Sequence, residues 1–396
     1  MYSEGFHFLK KTGHMDAKRR SLLTFAAISA LSATFEGCAT MKPTHMDSDL
    51  VVDAQFNGTA GDRVEGKPTF KTIQAALDAL PSQANAPRRI TIRKGRYYEK
   101  LVIDKPFVSL VGEGRGTTVL SFDAYSGLAR PGSAGKWSTF GCATLIVRAT
   151  DFRAENLTIE NAYDYPANDI KDAKDPTRTN DPQAVALMTD TGADRALFRN
   201  VDITGHQDTL FVNVGRSLFQ NCRVSGNVDF IFGAGQAVFE QCEIITRARV
   251  KPGVNPVGYV TAPSTQINQP WGLVFIDCKL LRESDKVPAQ SSPLGRPWHP
   301  TVSRGDGRYA DPDAVGSSIF INCFMDVHIT TDGWAAMSGT PRSGTEKTWF
   351  QPEDARFFEY HSTGPGAAVN TKRRQLGEAQ VQAFTRGQLL GDWRIE

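Results

Sequence analysis

Short segments that alternate hydrophobic and polar residues recur through the middle of the chain. Each reads apolar, Phe, any residue, polar, two further residues, apolar. The segments are LFRNVDI (197–203), LFQNCRV (218–224), VFEQCEI (238–244), VFIDCKL (274–280) and IFINCFM (319–325). Their phenylalanines are 21 and 20 residues apart at first, then 36 and 45 apart, as expected for rungs of which the later ones carry inserted loops. A repeat near 20 residues of short β-rich runs is typical of a parallel β-solenoid, in which the repeated Phe and Cys would form inward stacks.

The residues on both sides of the repeats fit the same architecture. The segment 69–80 (TFKTIQAALDAL) has helical apolar periodicity and is followed by Pro81, so it predicts a short helix that caps the open end of the solenoid. The segments 90–103 and 107–114 alternate like early strands.

The repeat pattern fades after about residue 330. We expect this C-terminal tail, with Phe357, Phe358, Tyr360 and Trp393, to pack along the outside of the solenoid.

The N-terminus has the pattern of an export signal. A basic run (Lys18, Arg19, Arg20) precedes the mostly apolar segment 21–33, which is too short to span a bilayer comfortably. Cys38 is a candidate lipidation site, and the alternative is a plain secretory leader cut near Ala33. We therefore expect an exported bacterial protein, either secreted or anchored as an outer-membrane lipoprotein, with a leader over 1–45 and one domain over 46–396.

Composition excludes several classes of protein. The 396 residues are 40% hydrophobic and 22% charged, which excludes wholesale disorder. The net charge is only +2, so bulk basicity gives no reason to expect nucleic-acid binding. Without an HExxH, a Cys-x-x-Cys or a GxSxG motif, the sequence favours neither a zinc site nor a serine esterase, and we expect no metal and no cofactor.

Two aspartates occupy equivalent places in consecutive coils. Asp208 lies ten residues after Phe198, and Asp229 lies ten residues after Phe219. Stacked strands lie about 4.8 Å apart, so the two carboxylates should be close neighbours. Repulsion should raise the pKa of one of them and leave the other ionised, which suits an acid and an anion in one reaction. We interpret His206, which lies nearby, as a structural hydrogen-bonding residue.

Two cysteines also fall in equivalent places. Cys222 and Cys242 each follow a repeated Phe by three residues, so their Cα atoms should lie near 5 Å apart, within disulfide range. We predict a disulfide between them, and a stack of reduced thiols in the core is the alternative. We expect Cys142, Cys278 and Cys323 to be buried free thiols.

Four short blocks resemble the signature blocks of pectin methylesterases. They are QAVAL (183–187), GHQDTLF (205–211), GNVDFIFG (226–233) and LGRPW (294–298), in this order. GYVTAPST (258–265) and GWAAM (333–337) are similar to the bacterial branch of that family. The resemblance extends from about Val51 to the C-terminus and implies a right-handed parallel β-helix, in agreement with the repeats.

The resemblance also implies a role for individual residues. Asp229 would attack the methyl-ester carbonyl of galacturonate, and Asp208 would protonate the departing methanol and then activate water. Gln183 and Gln207 would donate hydrogen bonds to the oxyanion. Arg296 would keep Asp229 ionised and oriented.

A second set of residues would bind the sugar chain. By the resemblance, Trp298 would lie against the substrate, and the cleft would be lined by Phe211, Phe232, Val228 and Met337. Phe211 stands where some relatives have Tyr. The implied partner is pectin, and neither a protein partner nor an oligomer is implied.

Two other functions remain open at this stage. Paired carboxylates also suit glycoside hydrolysis, so a β-helical pectin depolymerase (polygalacturonase or lyase) is one alternative. A solenoid that only binds polysaccharides is the other, although it would not explain the Gln, Asp and Arg set.

Overall fold

The computed structural model describes residues 49–395, which belong to a single compact unit. The predicted leader over 1–45 and the candidate lipidation site at Cys38 lie outside the described residues. Within 49–395, no helix has the length and hydropathy needed to cross a membrane.

Strands dominate the described residues, and the helices are short. The first fourteen strands are β1 (Asp49–Val52), β2 (Arg63–Val64), β3 (Lys67–Phe70), β4 (Arg88–Ile92), β5 (Gly95–Tyr98), β6 (Leu101–Ile103), β7 (Val108–Gly112), β8 (Thr118–Phe122), β9 (Leu145–Val147), β10 (Arg153–Asn161), β11 (Leu187–Thr189), β12 (Ala196–Thr204), β13 (Leu210–Val212) and β14 (Arg216–Gln220). The other strands are β15 (Arg223–Gly226), β16 (Ile231–Gly233), β17 (Gln236–Glu240), β18 (Glu243–Thr246), β19 (Thr261–Pro263), β20 (Leu273–Ile276), β21 (Lys279–Arg282), β22 (Thr301–Arg304), β23 (Gly307–Ala310), β24 (Ser317–Ile321), β25 (Phe324–Met325), β26 (Met337–Gly339), β27 (Thr348–Phe350) and β28 (Arg356–Tyr360). The α-helices are α1 (Ile73–Ala79), α2 (Tyr165–Asp169), α3 (Glu378–Val381) and α4 (Arg386–Leu390), and single 3₁₀ turns cover Pro352–Asp354 and Gln382–Phe384.

Each coil of the chain contributes strands to three parallel sheets. The first sheet stacks β4, β7, β10, β12, β14, β17, β20, β24 and β28. The second stacks β5, β8, the later halves of β10 and β12, and then β15, β18, β21 and β25. The third stacks β6, β9, β11, β13, β16 and β19. The predicted right-handed parallel β-helix is confirmed, with the hand that parallel crossovers adopt almost always.

The repeated phenylalanines form one continuous stack inside the first sheet. Phe198, Phe219, Phe239, Phe275 and Phe320 pair in register from coil to coil, and all five are fully buried. Successive ring centroids lie 4.5 to 4.7 Å apart with nearly parallel planes. The longer steps in sequence add loops outside the stack and leave the ring spacing unchanged.

Asparagines hold the corner between the first and second sheets. Asn156 and Asn200 bend β10 and β12 there, each with a φ of 55°, a left-handed conformation that Asn adopts more readily than most residues. The Nδ2 of Asn200 donates to Oδ1 of Asn156 over 2.6 Å, and Asn221 in the next coil repeats the conformation with a φ of 50°. This ladder fixes the alignment of the coils and therefore the stacking of later turns.

The predicted disulfide between Cys222 and Cys242 is wrong, because both cysteines are free thiols. Their Sγ atoms donate instead to the backbone carbonyls of Phe198 and Phe219 in the preceding coil, each over 3.4 Å. In stacked parallel coils, equivalent side chains point in the same direction, which keeps their Cβ atoms near the strand spacing of about 4.8 Å, whereas a disulfide needs about 3.8 Å. The alternative of a reduced stack is confirmed and extends to Cys278 and Cys323.

The N-terminal cap forms as predicted but is shorter. Helix α1 begins after Thr72, whose side chain accepts a hydrogen bond from the backbone N–H of Ala75, and it buries Ile73, Ala76 and Leu77. Phe70 belongs to β3 instead, which pairs with β1.

The C-terminal region continues the solenoid further than the sequence suggested. Strand β28 adds one more rung to the first sheet, so Phe357 lies in the core against Trp334. Glu359 takes the position after Phe320 in the stack, where Arg373 binds both of its carboxylate oxygens over 2.6 and 2.7 Å. Both charged side chains are fully buried. This ion pair closes the end of the Phe stack.

Three of the four tail residues named from the sequence lie on the outer face of the first sheet, as expected. Phe358, Tyr360 and Trp393 belong to or pack against the apolar cluster there that contains Leu197, Leu218, Leu389 and Leu390. Phe357 is the exception, because it lies in the core.

Candidate active site

Asp208 and Asp229 lie side by side in successive turns. Both turns lead into the third sheet, where Leu210 of β13 pairs with Ile231 of β16, so the aspartates two residues earlier are also in register. The backbone N–H of Asp208 donates to the carbonyl of Val228 over 3.0 Å. The two aspartates share a left-handed conformation, with φ values of 62° and 50°. The stacking that the sequence predicted is present.

Arg296 holds the carboxylate of Asp229 with two parallel hydrogen bonds. Its Nε and Nη2 donate to Oδ1 and Oδ2 over 2.8 and 2.6 Å. The guanidinium also lies 3.8 Å from the ring centroid of Tyr259. Burial disfavours the charge of Arg296, but the adjacent Asp229 carboxylate outweighs burial and raises the pKa of the guanidinium. These contacts fix Asp229 in one orientation and place the guanidinium cation of Arg296 directly beside its carboxylate.

A close approach of two backbones positions Arg296. Gly295 precedes it and pairs with Thr261 at the end of the third sheet. A Cβ at Gly295 would lie only 2.1 Å from Oγ1 of Thr261, so only glycine fits there. The Arg296 N–H then donates to the Thr261 carbonyl over 3.0 Å. Gly295 of the LGRPW block is therefore needed to position Arg296.

The surroundings of Asp208 favour its neutral form. Burial is the largest cause that raises the pKa of its carboxyl well above the usual value, and the nearby charge of Asp229 adds to it. Arg296 and a hydrogen bond from Gln207 act in the opposite direction but are weaker. The two aspartates thus have different environments: one is paired with a cation, and the other is buried beside an anion.

Two glutamine side chains reach the same cleft. Gln207 directly precedes Asp208, and its backbone carbonyl accepts a hydrogen bond of 3.1 Å from the N–H of Ala184, the residue after Gln183. The Oε1 atom of Gln183 is buried and has no hydrogen-bond partner among the described residues. The two amides are therefore tied together through the backbone next to the aspartate pair.

Aromatic residues build one side of the cleft. Trp298 lies edge-on to Phe232 with ring centroids 5.7 Å apart, and Met337 at the start of β26 completes this side. Phe211 stacks on Phe232 at 4.3 Å but is fully buried below it, so the expectation that it lines the cleft is wrong. Val228 is half-buried and is not among the residues around the cavity that contains both aspartates, although its backbone carbonyl accepts the hydrogen bond from the N–H of Asp208.

These groups surround a cavity of about 310 Å³. Its lining consists of Thr139, Phe140, Gln183, Gln207, Asp208, Asp229, Phe232, Ala262, Arg296, Trp298 and Met337. A larger groove of about 530 Å³ lies over the second sheet. It is lined by paired charges such as Arg223 with Glu243 at 3.0 Å, and none of the candidate residues borders it.

His206 makes structural contacts, in agreement with its interpretation from the sequence. Its ring stacks on Tyr165 with centroids 5.2 Å apart, and its Nδ1 lies 3.3 Å from Nδ2 of Asn227. Burial lowers the pKa of His206 to about 3, so the imidazole is neutral. The guanidinium of Arg249 lies over the ring of Tyr165, the stacking partner of His206, and forms an ion pair with Asp169. This network supports the turn that carries Gln207 and Asp208.

Sequence reasoning missed four residues of the site, of which Ala262 lines the cleft from β19. Thr139 and Phe140 line the cleft from a segment that carries no repeat pattern, and Phe140 is 52% exposed although its ring packs on Phe211. Tyr259 lies within the GYVTAPST block, which could have directed attention to it. Within 49–395, no group of three or more His, Cys, Asp or Glu side chains is arranged to hold a metal ion.

Comparison with known proteins identifies close relatives. The family model described as Pectinesterase matches residues 62–392. Pectinesterase A of Dickeya chrysanthemi is 48% identical over 340 residues, which cover 85% of this chain and 91% of the relative. A pectin methylesterase solved in complex with a hexasaccharide is 46% identical with a TM-score of 0.81, covering 87% of this chain and 97% of that one. A pectin methylesterase of Yersinia enterocolitica is 47% identical with a TM-score of 0.79, covering 82% of this chain and all of that one.

Proposed function

The chain belongs to the pectinesterase family, and from this premise we propose that it hydrolyses the methyl esters of galacturonate units in pectin, releasing methanol and leaving pectate. The observation that carries the proposal is the pair Asp208 and Asp229, stacked in one cleft with Arg296 on only one of them. This arrangement supplies an ionised nucleophile beside a protonated acid, which ester hydrolysis requires.

Asp229 is the nucleophile in the proposed mechanism. One of its carboxylate oxygens attacks the ester carbonyl carbon while Arg296 keeps the carboxylate ionised and aimed. The carbonyl oxygen becomes an oxyanion, which the side-chain amides of Gln183 and Gln207 stabilise by hydrogen bonds.

Asp208 transfers the protons. Its buried, neutral carboxyl gives a proton to the methoxy oxygen as the bond from carbonyl carbon to that oxygen breaks, so methanol leaves and an anhydride joins the sugar to Asp229. The resulting Asp208 carboxylate then takes a proton from water, and the hydroxide attacks the sugar carbonyl carbon. The anhydride bond breaks, Asp229 is released as a carboxylate and Asp208 is protonated again. The product acid loses its proton to solvent.

The aromatic side of the cleft holds the sugar chain in this proposal. The faces of Trp298, Phe232 and Met337 provide the apolar surface on which a galacturonate ring packs. Aromatic side chains contribute contact area at little cost in conformational entropy, since they have few rotatable bonds.

One assay tests the function against the two alternatives. The protein is incubated with highly methylated pectin, and methanol, acid and chain length are measured. The proposal expects methanol and acid in equal amounts with unchanged chain length. New reducing ends or unsaturated ends without methanol would indicate a depolymerase instead, and the absence of any product would indicate a binding protein.

The two glutamines give a separate prediction. We expect Gln183→Ala and Gln207→Ala each to lower kcat for methanol release by about 10²- to 10³-fold, since each removes one oxyanion donor. KM should change less, because the donors act mainly on the tetrahedral state. Gln83→Ala, at an exposed position outside the cleft, is the matched control. A loss confined to KM would argue against the oxyanion role.

We also propose that the protein is exported and acts as a monomer. The basic and apolar N-terminal pattern supports export, and Gly37 followed by Cys38 supports a lipid anchor. The exported protein begins either after a leader cut near Ala33 or at an acylated Cys38, and intact-mass measurement of the exported protein distinguishes the two. An unmodified N-terminus near residue 34 would overturn the anchor but not the export.

A further inference from the structure

The charge of Arg296 reaches both aspartates of the cleft, although the side chain pairs with only one of them. Its Nε and Nη2 donate to Asp229. After burial and the charge of Asp229, Arg296 is the next influence on the pKa of Asp208, which it lowers. A guanidinium that moved closer to Asp208 would favour loss of the proton that the departing methanol needs. The proposed reaction therefore requires that Arg296 be kept on the side of Asp229.

The ring of Tyr259 covers one face of this guanidinium. The guanidinium carbon of Arg296 lies 3.8 Å from the ring centroid, whereas the other cation–ring distances among residues 49–395 range from 4.7 to 5.6 Å. A carbon atom at this distance is in van der Waals contact with the ring. Because the guanidinium is flat and is attracted to the ring face, the contact restricts its rotation.

The backbone holds Tyr259 between the two parts of the site. Its N–H donates over 3.0 Å to the carbonyl of Asn227, in the turn that carries the nucleophile. The N–H of the following residue donates over 3.1 Å to the carbonyl of Pro293, at the start of the segment that carries Arg296. Gly258 permits this close approach, since a Cβ there would lie 1.9 Å from the Asn227 carbonyl oxygen. The ring is therefore fixed relative to both partners of the ion pair.

The ring face is the part of Tyr259 that contacts the site. Within residues 49–395, its hydroxyl makes no hydrogen bond, and Tyr259 is not among the residues that line the cavity. Phenylalanine would offer the same surface to Arg296, whereas an aliphatic side chain would not. The contact therefore acts on the arginine and not on the substrate.

From this juxtaposition we propose that Tyr259 is a positioning residue that directs Arg296 to Asp229 and away from Asp208, and thereby decides which aspartate attacks and which one donates the proton. The inference rests on the proposed function and adds to it a residue that acts through Arg296. With one face covered by the ring, the guanidinium presents its Nε and Nη2 edge to Asp229. Without the ring, the guanidinium is free to rotate and to divide its charge between both carboxylates.

The first test compares variants that keep or remove the ring. KM and kcat for methanol release from pectin are measured for the wild type, Tyr259→Leu and Tyr259→Phe. We expect Tyr259→Leu to lower kcat about three- to thirtyfold, the size of a cation–π contact, with little change in KM. Tyr259→Phe should stay close to the wild type because it keeps the ring.

A matched control removes a similar contact elsewhere. Phe358→Leu takes away the ring that lies 4.7 Å from the guanidinium carbon of Arg374 on the outer face of the first sheet. It should leave kcat unchanged. Thermal unfolding of each variant verifies that it is folded. If Tyr259→Leu does not fold, Tyr259→Met replaces it, since methionine is also apolar and has no ring.

The pH dependence of kcat separates positioning from a general loss of packing. In the leucine variant of the tyrosine, a guanidinium nearer Asp208 favours the carboxylate, so the fall of kcat at high pH should begin about one pH unit lower than in the wild type. Apart from the pair of Arg296 with Asp229, the titratable groups that face Asp208 are Cys142 and Tyr165. Burial raises the pKa of Cys142 to about 11 and that of Tyr165 to about 12, so both stay uncharged in this range. A packing defect would lower kcat by the same factor at every pH.

Three results would overturn the inference and leave the proposed function intact. They are an unchanged kcat in Tyr259→Leu, a loss confined to KM, and a fall at high pH that does not move. A Tyr259→Phe variant as slow as Tyr259→Leu would overturn it as well, because the effect would then belong to the hydroxyl. A wild type that releases no methanol from any pectin would instead overturn the function itself.

Discussion

Asp229→Asn is expected to abolish methanol release from pectin while the protein stays folded. An amide is not a nucleophile, so turnover should fall on the order of 10⁴-fold or more, as in other hydrolases that lose the attacking group. Asn is the conservative choice because it tolerates the left-handed backbone at this position, where φ is 50°, and leaves an acceptor oxygen for Arg296. Ala would leave the half-buried guanidinium unpaired, which typically costs about 3–5 kcal/mol of folding free energy.

The measurement is the initial rate of methanol release, with the melting temperature and circular dichroism as controls for folding. Asp277→Asn is a matched control, because Asp277 also has a left-handed φ of 53° but lies at a corner far from the lining of the cleft. Turnover within tenfold of the wild type in Asp229→Asn would refute the assignment of the nucleophile.

Asp208→Asn is expected to remove turnover as well, and it should also change how stability depends on pH. Loss of a positioned acid typically lowers a rate by about 10²- to 10⁴-fold, and here the same group serves both chemical steps. Asn again fits the local backbone, where φ is 62°. The defect should therefore arise from the missing proton and not from a misplaced turn.

The effect on stability follows from the raised pKa of Asp208. The folded protein keeps this proton to a higher pH than the unfolded chain, in which the carboxyl has a pKa of about 3.9. The contribution of Asp208 to stability is therefore fully present below about pH 4 and declines as the pH rises from there to the folded-state pKa. Asp208→Asn lacks this decline, so it should gain stability over the wild type as the pH rises through that window. Urea unfolding of both proteins at several pH values tests this. A constant difference across the window would mean that Asp208 does not hold a proton in the fold.

The pH dependence of turnover provides a further check on the same group. Because the proton on Asp208 is needed to release methanol, kcat should fall once the pH exceeds the raised pKa of Asp208 in the complex with substrate.

Features that the repeat encodes could be predicted from the sequence. The Phe stack and the pairing of Asp208 with Asp229 both follow from a constant number of residues per coil, since strand pairing converts equal spacing into stacking. The cysteines obey the same rule, yet the predicted bridge between Cys222 and Cys242 is wrong. The same stacking keeps their side chains parallel at about the strand spacing, which is wider than the Cβ separation of a disulfide.

Features that the loops encode could not be predicted in this way. Thr139 and Phe140 belong to a segment with no counterpart in the other coils, so no repeat could place them beside the cleft. Strand β28 was missed because its pattern carries Glu359 where a Phe would continue the stack. The structure explains this residue, since Arg373 lies opposite and satisfies its charge inside the core.

The constant spacing of the Phe stack has a consequence for how such enzymes diversify. From Phe239 to Phe275 and from Phe275 to Phe320 the chain inserts whole loops, yet the rings stay 4.5 Å apart. The framework therefore tolerates the exchange of entire loops, because the ends of each loop are fixed by rungs that do not move. A change in the loops that border the cleft can therefore alter substrate preference, while Asp208 and Asp229 keep their places on the stacked coils.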